Sequence, residues 1–397
     1  MLNLLDGIRV ISFNHFLMGP VGIQMLADMG ADVISIEALE GGFQRRFGGA
    51  KSSIDGDGSS FHVGGRNKRN IAVNLKHEKG VEIALALIKD ADIVSENFRP
   101  GVMDRLGLGY SRLLRLNPKL IYAAATGFGS TGPGAKRPGQ DLLIQALSGL
   151  AMITGTRSSG PRPVGVSAAD HHGAALYALG ILGALIRRQR TGKGCFVDVD
   201  LMSASINLQM ESFVSYFNSD YQDSLLSPEA IGGWYNSAPY GLYAALDGHV
   251  AISHCDLNVL ADALKIPDLK RFIHSDLFDY REDVAEIISQ RLKHLSVEQI
   301  MNTLLPLRVW CAQVNDYQDV VNDPQVQHNQ NFIFTKSAKG TPMTLVNHPI
   351  RYDGEVAEVR IPPQPLGAQS AEVLIELGWD KASIKKLVED KVIALSE

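Results

Sequence analysis

The chain is expected to fold as an α/β protein, its N-terminal half built on a doubly wound, mostly parallel sheet. Two observations carry this reading. Strand, helix and strand follow one another within the first forty residues, and the same alternation recurs between residues 70 and 96. The length and composition permit it: 397 residues, 45% hydrophobic and 20% charged, suffice for more than one packed core.

Each element has a local cause. GIRVISF (7–13) is a short apolar run suited to a buried strand. Pro20 is expected to open a helix through VGIQMLADM, which Gly30 ends, and ADVISIE (31–37) forms the next strand. NIAVNL (70–75), a helix over HEKGVEIALALIKD and the strand ADIVSE (91–96) repeat the unit, and LIYAAAT (120–126) adds another strand. A strongly apolar helix is expected over 171–190, followed by CFVDVDL (195–201). Its core, Ala174–Ile186, has 13 apolar residues, fewer than the ~20 a membrane span needs, and reads as a buried helix. Between Ser219 and Asn236 the alternation fails. From Tyr240 a short sheet (GLYAALDGHVAIS) leads into helices, one of them opened by Ser296 with Gln299 three residues on. Strand-like MTLVNHPIRY, a Pro-rich crossing and two helices, SAEVLIELG and KASIKKLVED, close the chain and are expected to pack on the first domain. The expected boundaries are 1–218 for the first part of a large domain, 219–335 for a smaller α+β domain with its linkers, and 336–397 for a segment returning to the large one.

Charge and cysteine usage exclude several classes. Lys and Arg number 38 against 43 Asp and Glu, a net charge of −5, which gives no footprint for nucleic acid or an anionic membrane. Three dispersed cysteines without a CxxC pair argue against a disulfide framework or structural zinc. The N-terminus lacks the order of a signal peptide, so the expectation is a cytoplasmic protein.

Gly127-Phe-Gly129-Ser-Thr-Gly132 satisfies GxGxxG after a predicted strand. Pro133, Gly134 and Pro138 forbid a helix at its third glycine, so it reads as a shaped loop rather than a dinucleotide site, although Glu37 sits where a ribose-binding acid would. Asp170-His171-His172 invites a metal, but successive helical residues point about 100° apart. No metal is expected. Asp170 itself has two readings: an N-cap of the long helix, or a carboxylate nucleophile held ionised by free N–H groups. Lys68, Arg69 and Lys76 flank a strand, and Asn97-Phe98-Arg99-Pro100-Gly101 follows another, at a natural ligand-loop position. Arg187, Arg188 and Arg190 before Gly192 suit a helix C-terminus.

Taken together and in order, LDGIRVISF with MGP and LADMGADVISIE, GRNKRNIAVNLK, ENFRPGVMDRLGLGY, NPKLIYAAATGFGSTGP, RPVGVSAAD and LGAQSAEVLIELG resemble the class III CoA-transferase family, nearly end to end. The resemblance implies a Rossmann-like large domain with a smaller one, in an interlocked homodimer. It implies that Asp170 is the nucleophile, passing through an aspartyl anhydride and an aspartyl-CoA thioester. Coenzyme A, as acyl-CoA, would be a substrate held by Phe16, Leu17, Met18, Lys76, Asn97, Phe98 and Arg105, with no permanently bound cofactor. Gln140, Gly232, Gly233, Trp234 and Tyr235 are the expected pocket or flap residues.

The sequence departs from the family pattern in three places. Leu17 replaces a glutamine of formyl-CoA transferases, which argues against an oxalate-like acceptor. Ala38 replaces a common arginine, and Gly367-Ala368-Gln369 replaces GEH. The implied substrates are an acyl-CoA and a small carboxylic acid, with succinyl-CoA and a small dicarboxylate foremost. An α-methylacyl-CoA racemase is the rival within the fold, but Gly139-Gln140-Asp141 lacks the histidine such a base requires. A non-catalytic CoA-binding protein is the rival from another class, which the intact Asp170 disfavours.

Overall fold

The computed structural model describes residues 2–221 and 223–396. It divides into two units: Met1–Ile144, Ser167–Leu208 and Gln327–Glu397 form the first, and Gln145–Val166 with Gln209–Val326 the second. The second unit therefore draws on a stretch upstream of the long helix, which the sequence-based boundaries did not include.

In the first unit, β1 (Arg9–Phe13), α1 (Met18–Asp28), β2 (Asp32–Glu37), β3 (Lys68–Val73), α2 (Glu78–Lys89), β4 (Ile93–Glu96), β5 (Ile121–Thr126), α3 (Ala168–Thr191) and β6 (Cys195–Asp200) follow in chain order. The strands lie as β3-β2-β1-β4-β5-β6, all parallel, and a short antiparallel strand, Ile393–Ala394, extends the β3 edge. This is the doubly wound order, in which the direction of strand addition reverses between β1 and β4 and opens a crevice beyond their carboxyl ends. Both faces are covered, as continuous apolar strands require. Ile11, Ile34, Ile71 and Val94 meet α2 and the C-terminal helices through Leu87, Val373 and Ile384. Val10, Val33, Ile93 and Ile121 meet α1 and α3 through Ile23, Leu26, Tyr177 and Ile181.

Helix starts differ from expectation. α1 begins at Met18, placing Pro20 at its third position, where no N–H is needed. α3 begins at Ala168 with Ser167 as N-cap, so Asp170 lies inside the first turn and is not the cap. Nor is α3 wholly buried. Gly173, Tyr177 and Ile181 face the sheet, while Leu179 is 64% and Ile186 52% exposed. Its apolar composition runs all round, but only one stripe meets the sheet. Gly192, at φ 69°, ends it as a left-handed cap, its N–H donating to the Arg188 carbonyl at 2.8 Å.

The second unit holds a three-stranded antiparallel sheet (Gly241–Ala244, His249–Ile252, Cys311–Gln313). Helices Leu257–Leu264, Arg281–Leu292 and Val297–Leu304 pack on a core that includes Tyr243, Val250, Leu260 and Ile288. Ser296 and Gln299 form a reciprocal capping box. Among the described residues no helix is long and apolar enough to cross a membrane.

Candidate active site

The crevice predicted by the strand order is a cavity of about 680 Å³, lined wholly by the first unit. The loop after β1 supplies His15, Phe16, Leu17 and Met18, and the loop after β4 supplies Asn97, Phe98 and Arg99. A reciprocal pair ties these loops together. The His15 N–H donates to Asn97 Oδ1 at 2.8 Å, and Asn97 Nδ2 donates to the His15 carbonyl at 2.7 Å. Burial holds His15 down at about 4, so its imidazole is neutral near neutral pH.

Asp170 enters the same cavity from α3, and Asp141 from the start of the helix Asp141–Leu147. The Asp170 N–H donates to Asp141 Oδ1 at 3.1 Å, while the Met18 N–H donates to the Asp170 carboxylate. That amide is one of the unpaired donors in the first turn of α1, where the helix dipole favours an anion. Burial, and then the neighbouring Asp141 charge, outweigh it and push Asp170 up to about 7. The carboxyl thus sits near the midpoint of its titration at neutral pH, poised but poorly solvated.

Three devices fix this geometry. Glycines let α1 and α3 approach: a Cβ on Gly22 would meet the Ala174 carbonyl oxygen at 2.9 Å, and the Met18 side chain lies within 3.1–3.4 Å of where a Gly173 Cβ would stand. A buried chain fastens α3 to the sheet: Asn14 Nδ2 donates to Ser95 Oγ at 2.5 Å, Ser95 pairs with Tyr177 Oη at 2.9 Å, and Tyr177 donates to the Ala123 carbonyl at 2.6 Å. Gly127 and Gly139 meet back to back, each leaving no room for a Cβ on the other. That contact brings the Gly127–Gly132 loop against Gln140 and Asp141; no helix starts at Gly132.

The structure brings together Phe16, Leu17, Met18, Asn97, Phe98, Gln140 and Asp170. It does not bring Lys76 or Arg105 to the cavity lining; both are exposed, Lys76 on the turn after β3 and Arg105 at the end of the short helix Val102–Arg105 that follows β4. Gly232 and Gly233 belong to the second unit, where Gly232 lines a separate cavity of about 470 Å³ with Tyr240, Leu242 and Trp310. Trp234 does not line that cavity. It is 2% exposed, stacks on Tyr221 and donates its indole N–H to Ser212 Oγ at 2.8 Å. The Tyr235 hydroxyl meets Glu211 Oε2 at 3.4 Å.

Glu37 is not free to hold a ribose. Arg45 grips it twice, at 2.7 and 2.8 Å, and Asn70 Nδ2 donates to it at 2.6 Å. Lys68 is buried too, donating to the Pro20 and Gly64 carbonyls at 2.7 Å. His172 Nε2 pairs with Asn207 Oδ1, and among the described residues no group of three or more His, Cys, Asp or Glu is arranged to hold a metal. Sequence reasoning missed Phe43, Gln44, Phe47 and Arg137, which also line the cavity. For the two phenylalanines the signal was present as a four-residue spacing.

Comparison with known proteins agrees with this architecture. The sequence profile of CoA-transferase family III matches residues 5–370. A succinate–glutarate CoA-transferase of Agrobacterium fabrum is 32% identical over 386 residues, covering 94% of this chain and 95% of that protein. An acetyl-CoA:oxalate CoA-transferase of Acetobacter aceti is 38% identical over 360 residues, covering 88% and 89%. The crystal structure of a CAIB/BAIF family protein from Brucella suis matches with a TM-score of 0.81 at 29% identity, covering 94% of this chain and 99% of that one.

Proposed function

The chain belongs to CoA-transferase family III and is a transferase, and we propose from its site how it works: Asp170 carries CoA from an acyl-CoA donor to a free carboxylic acid. The observation that supports this reading is a partly buried carboxylate, held by a helix-start amide, in a cavity at the switch point of a doubly wound sheet.

In the proposed route an Asp170 oxygen attacks the donor thioester, releasing CoA thiolate and leaving a mixed anhydride. The thiolate attacks the aspartyl carbonyl of that anhydride, which frees the donor acid with one oxygen from Asp170. The acceptor carboxylate then attacks the aspartyl-CoA thioester, and the thiolate returns to the acceptor's carbonyl. Asp170 recovers a carboxylate containing one acceptor oxygen. Both intermediates hydrolyse in water, so the cavity must exclude it. Phe16, Leu17, Met18, Asn97 and Phe98 would contact CoA, with Lys76 and Arg105 on its phosphates.

Succinyl-CoA with a small dicarboxylate is the proposed substrate pair, in line with the succinate and glutarate named for the Agrobacterium fabrum relative. Leu17 puts methyl groups into the cavity, which favours an acceptor longer than oxalate. We further propose an interlocked homodimer in the cytoplasm. Exposed apolar side chains support assembly: Leu179 and Ile186 in the first unit, Trp310 and Tyr317 in the second.

The test is one incubation in heavy water with mixed acyl-CoA donors and a panel of carboxylic acids, read by mass spectrometry. New thioesters without α-deuterium are expected. Deuterium at the α-carbon without new thioesters would instead establish racemisation.

A further inference from the structure

We propose that Lys68 is a positioning residue for the transfer site: its ammonium clamps the first turn of α1, and through that turn it holds the Met18 amide on the Asp170 carboxylate. This rests on the transfer reading above and adds to it a residue that touches none of the reacting atoms.

A lysine is an unfavourable choice at this place. Lys68 opens β3 and is 5% exposed, and burying an ammonium costs free energy unless a carboxylate pairs with it. Among the described residues none does. The nearest carboxylates are already engaged: Arg66 grips Asp28 and Arg45 grips Glu37, each at 2.7 Å. Burial accordingly pulls Lys68 down to about 7, against the attraction of Asp28 and Glu37 and with the repulsion of Arg66. What the ammonium does touch is backbone: Nζ donates to the Pro20 and Gly64 carbonyls, both at 2.7 Å. A methionine would fill much the same volume without the cost of burying a charge, so the lysine is explained by what its donors hold.

Both carbonyls belong to segments that reach the cavity. Pro20 is the third residue of α1, whose first residue, Met18, gives its amide to Asp170. Gly64 follows the short helix Ser59–Val63, which brings Ser60 to the cavity wall. The two segments touch directly: a Cβ on Gly64 would stand 2.9 Å from Pro20 Cβ and 3.1 Å from the Pro20 carbonyl carbon. Further along α1, Gly22 meets the Ala174 carbonyl of α3. The helix start is thus held both to the nucleophile's own helix and, through Lys68, to strand β3. The clamp is not a pH switch, because a neutral amine keeps two N–H donors, enough for both carbonyls. His15, Arg99, Arg137 and Asp141 are the other ionisable groups lining the cavity with Asp170, and all are kept in the variants below. A shift in the titration of Asp170 then reports the Met18 amide.

The experiment uses the full-length protein with succinyl-CoA, the fastest acceptor of the carboxylic-acid panel above, and the variants Lys68→Met, Lys68→Gln and Gly64→Ala. In Lys68→Met, kcat is expected to fall about tenfold or more, with KM for succinyl-CoA kept within about twofold. The acidic limb of its kcat/KM profile is expected to move to higher pH, because the amide that holds the Asp170 carboxyl down is drawn away. Lys68→Gln, whose shorter side chain keeps two N–H donors, is expected to lie between. Gly64→Ala disturbs the same contact while keeping the lysine and is expected to move the limb in the same direction, which carries the test if Lys68→Met does not fold. Thermal unfolding of each variant separates stability from position. A lower melting temperature with kcat and the limb unmoved makes Lys68 a structural residue only and overturns this inference alone. Absence of any transfer by wild type, or turnover that persists in Asp170→Asn, overturns the transfer reading beneath it.

Discussion

At the scale of single residues, the chemistry turns on how two carboxyls share one cavity. Asp170 is raised to about 7 by burial and by Asp141. A route that needs its carboxylate therefore gives a rate that climbs with pH through about 7. Asp141→Asn removes the neighbouring charge and is expected to move that acidic limb to lower pH in the kcat/KM profile; an unmoved limb would contradict the electrostatic account. Asp170→Asn keeps an acceptor for the Met18 amide but cannot form an anhydride, and turnover is expected to fall roughly 10⁴-fold or more. Its stability should move the other way. The folded pKa of Asp170 lies above the unfolded value of about 4, so the native state binds the extra proton between these values and loses stability as pH rises through that window. Asn escapes this loss. Its melting temperature is expected to exceed that of wild type at about pH 8, with the gap closing towards about pH 4. The proposed nucleophile was singled out in the sequence only through the ordered motifs around it, because local spacing alone favours an N-cap. The structure removes that alternative by giving the cap position to Ser167.

At the scale of elements, periodicity located the parallel strands and the capping box at Ser296, since buried runs and cap chemistry are written locally. It misplaced the starts of α1 and α3. Neither N-cap, Leu17 or Ser167, makes a side-chain cap hydrogen bond, so no local signal marks the first turn. The expectation of Trp234 as a pocket or flap residue came from the family resemblance rather than from periodicity, and within its own unit its indole is bonded to Ser212. The close contact of α1 with α3 was invisible for a different reason: only tertiary structure shows that Gly22 faces the Ala174 carbonyl. Gly22→Ala would gain up to ~1 kcal/mol of helix propensity. It would meet a backbone oxygen at 2.9 Å that cannot rotate away, and overpacking of this kind costs about 1–3 kcal/mol. The clash is expected to win, lowering both the melting temperature and kcat as Met18 is drawn from Asp170. Full activity with unchanged stability would show that the helix approach does not position the nucleophile.

At the scale of the whole molecule, the strand order β3-β2-β1-β4-β5-β6 explains why residues as distant as Phe16, Asn97 and Asp170 line one cavity. The doubly wound class was readable from the alternating pattern; the order was not, since each pairing is a long-range event. The detour of 145–166 into the second unit was likewise hidden, because nothing in its composition marks a crossing. The proposed interlocked dimer has its own test. Two differently tagged populations mixed under native conditions are expected to form no hybrid dimers, and to form them after joint unfolding and refolding; free exchange would rule out interlocking. The central claim, that Asp170 carries CoA, is tested most directly by incubating the protein with succinyl-CoA without an acceptor, trapping, digesting and weighing the peptides. A CoA adduct on the peptide containing Asp170, absent from Asp170→Asn, is the predicted result. Turnover with no adduct on that peptide, or an adduct on another residue, would contradict it.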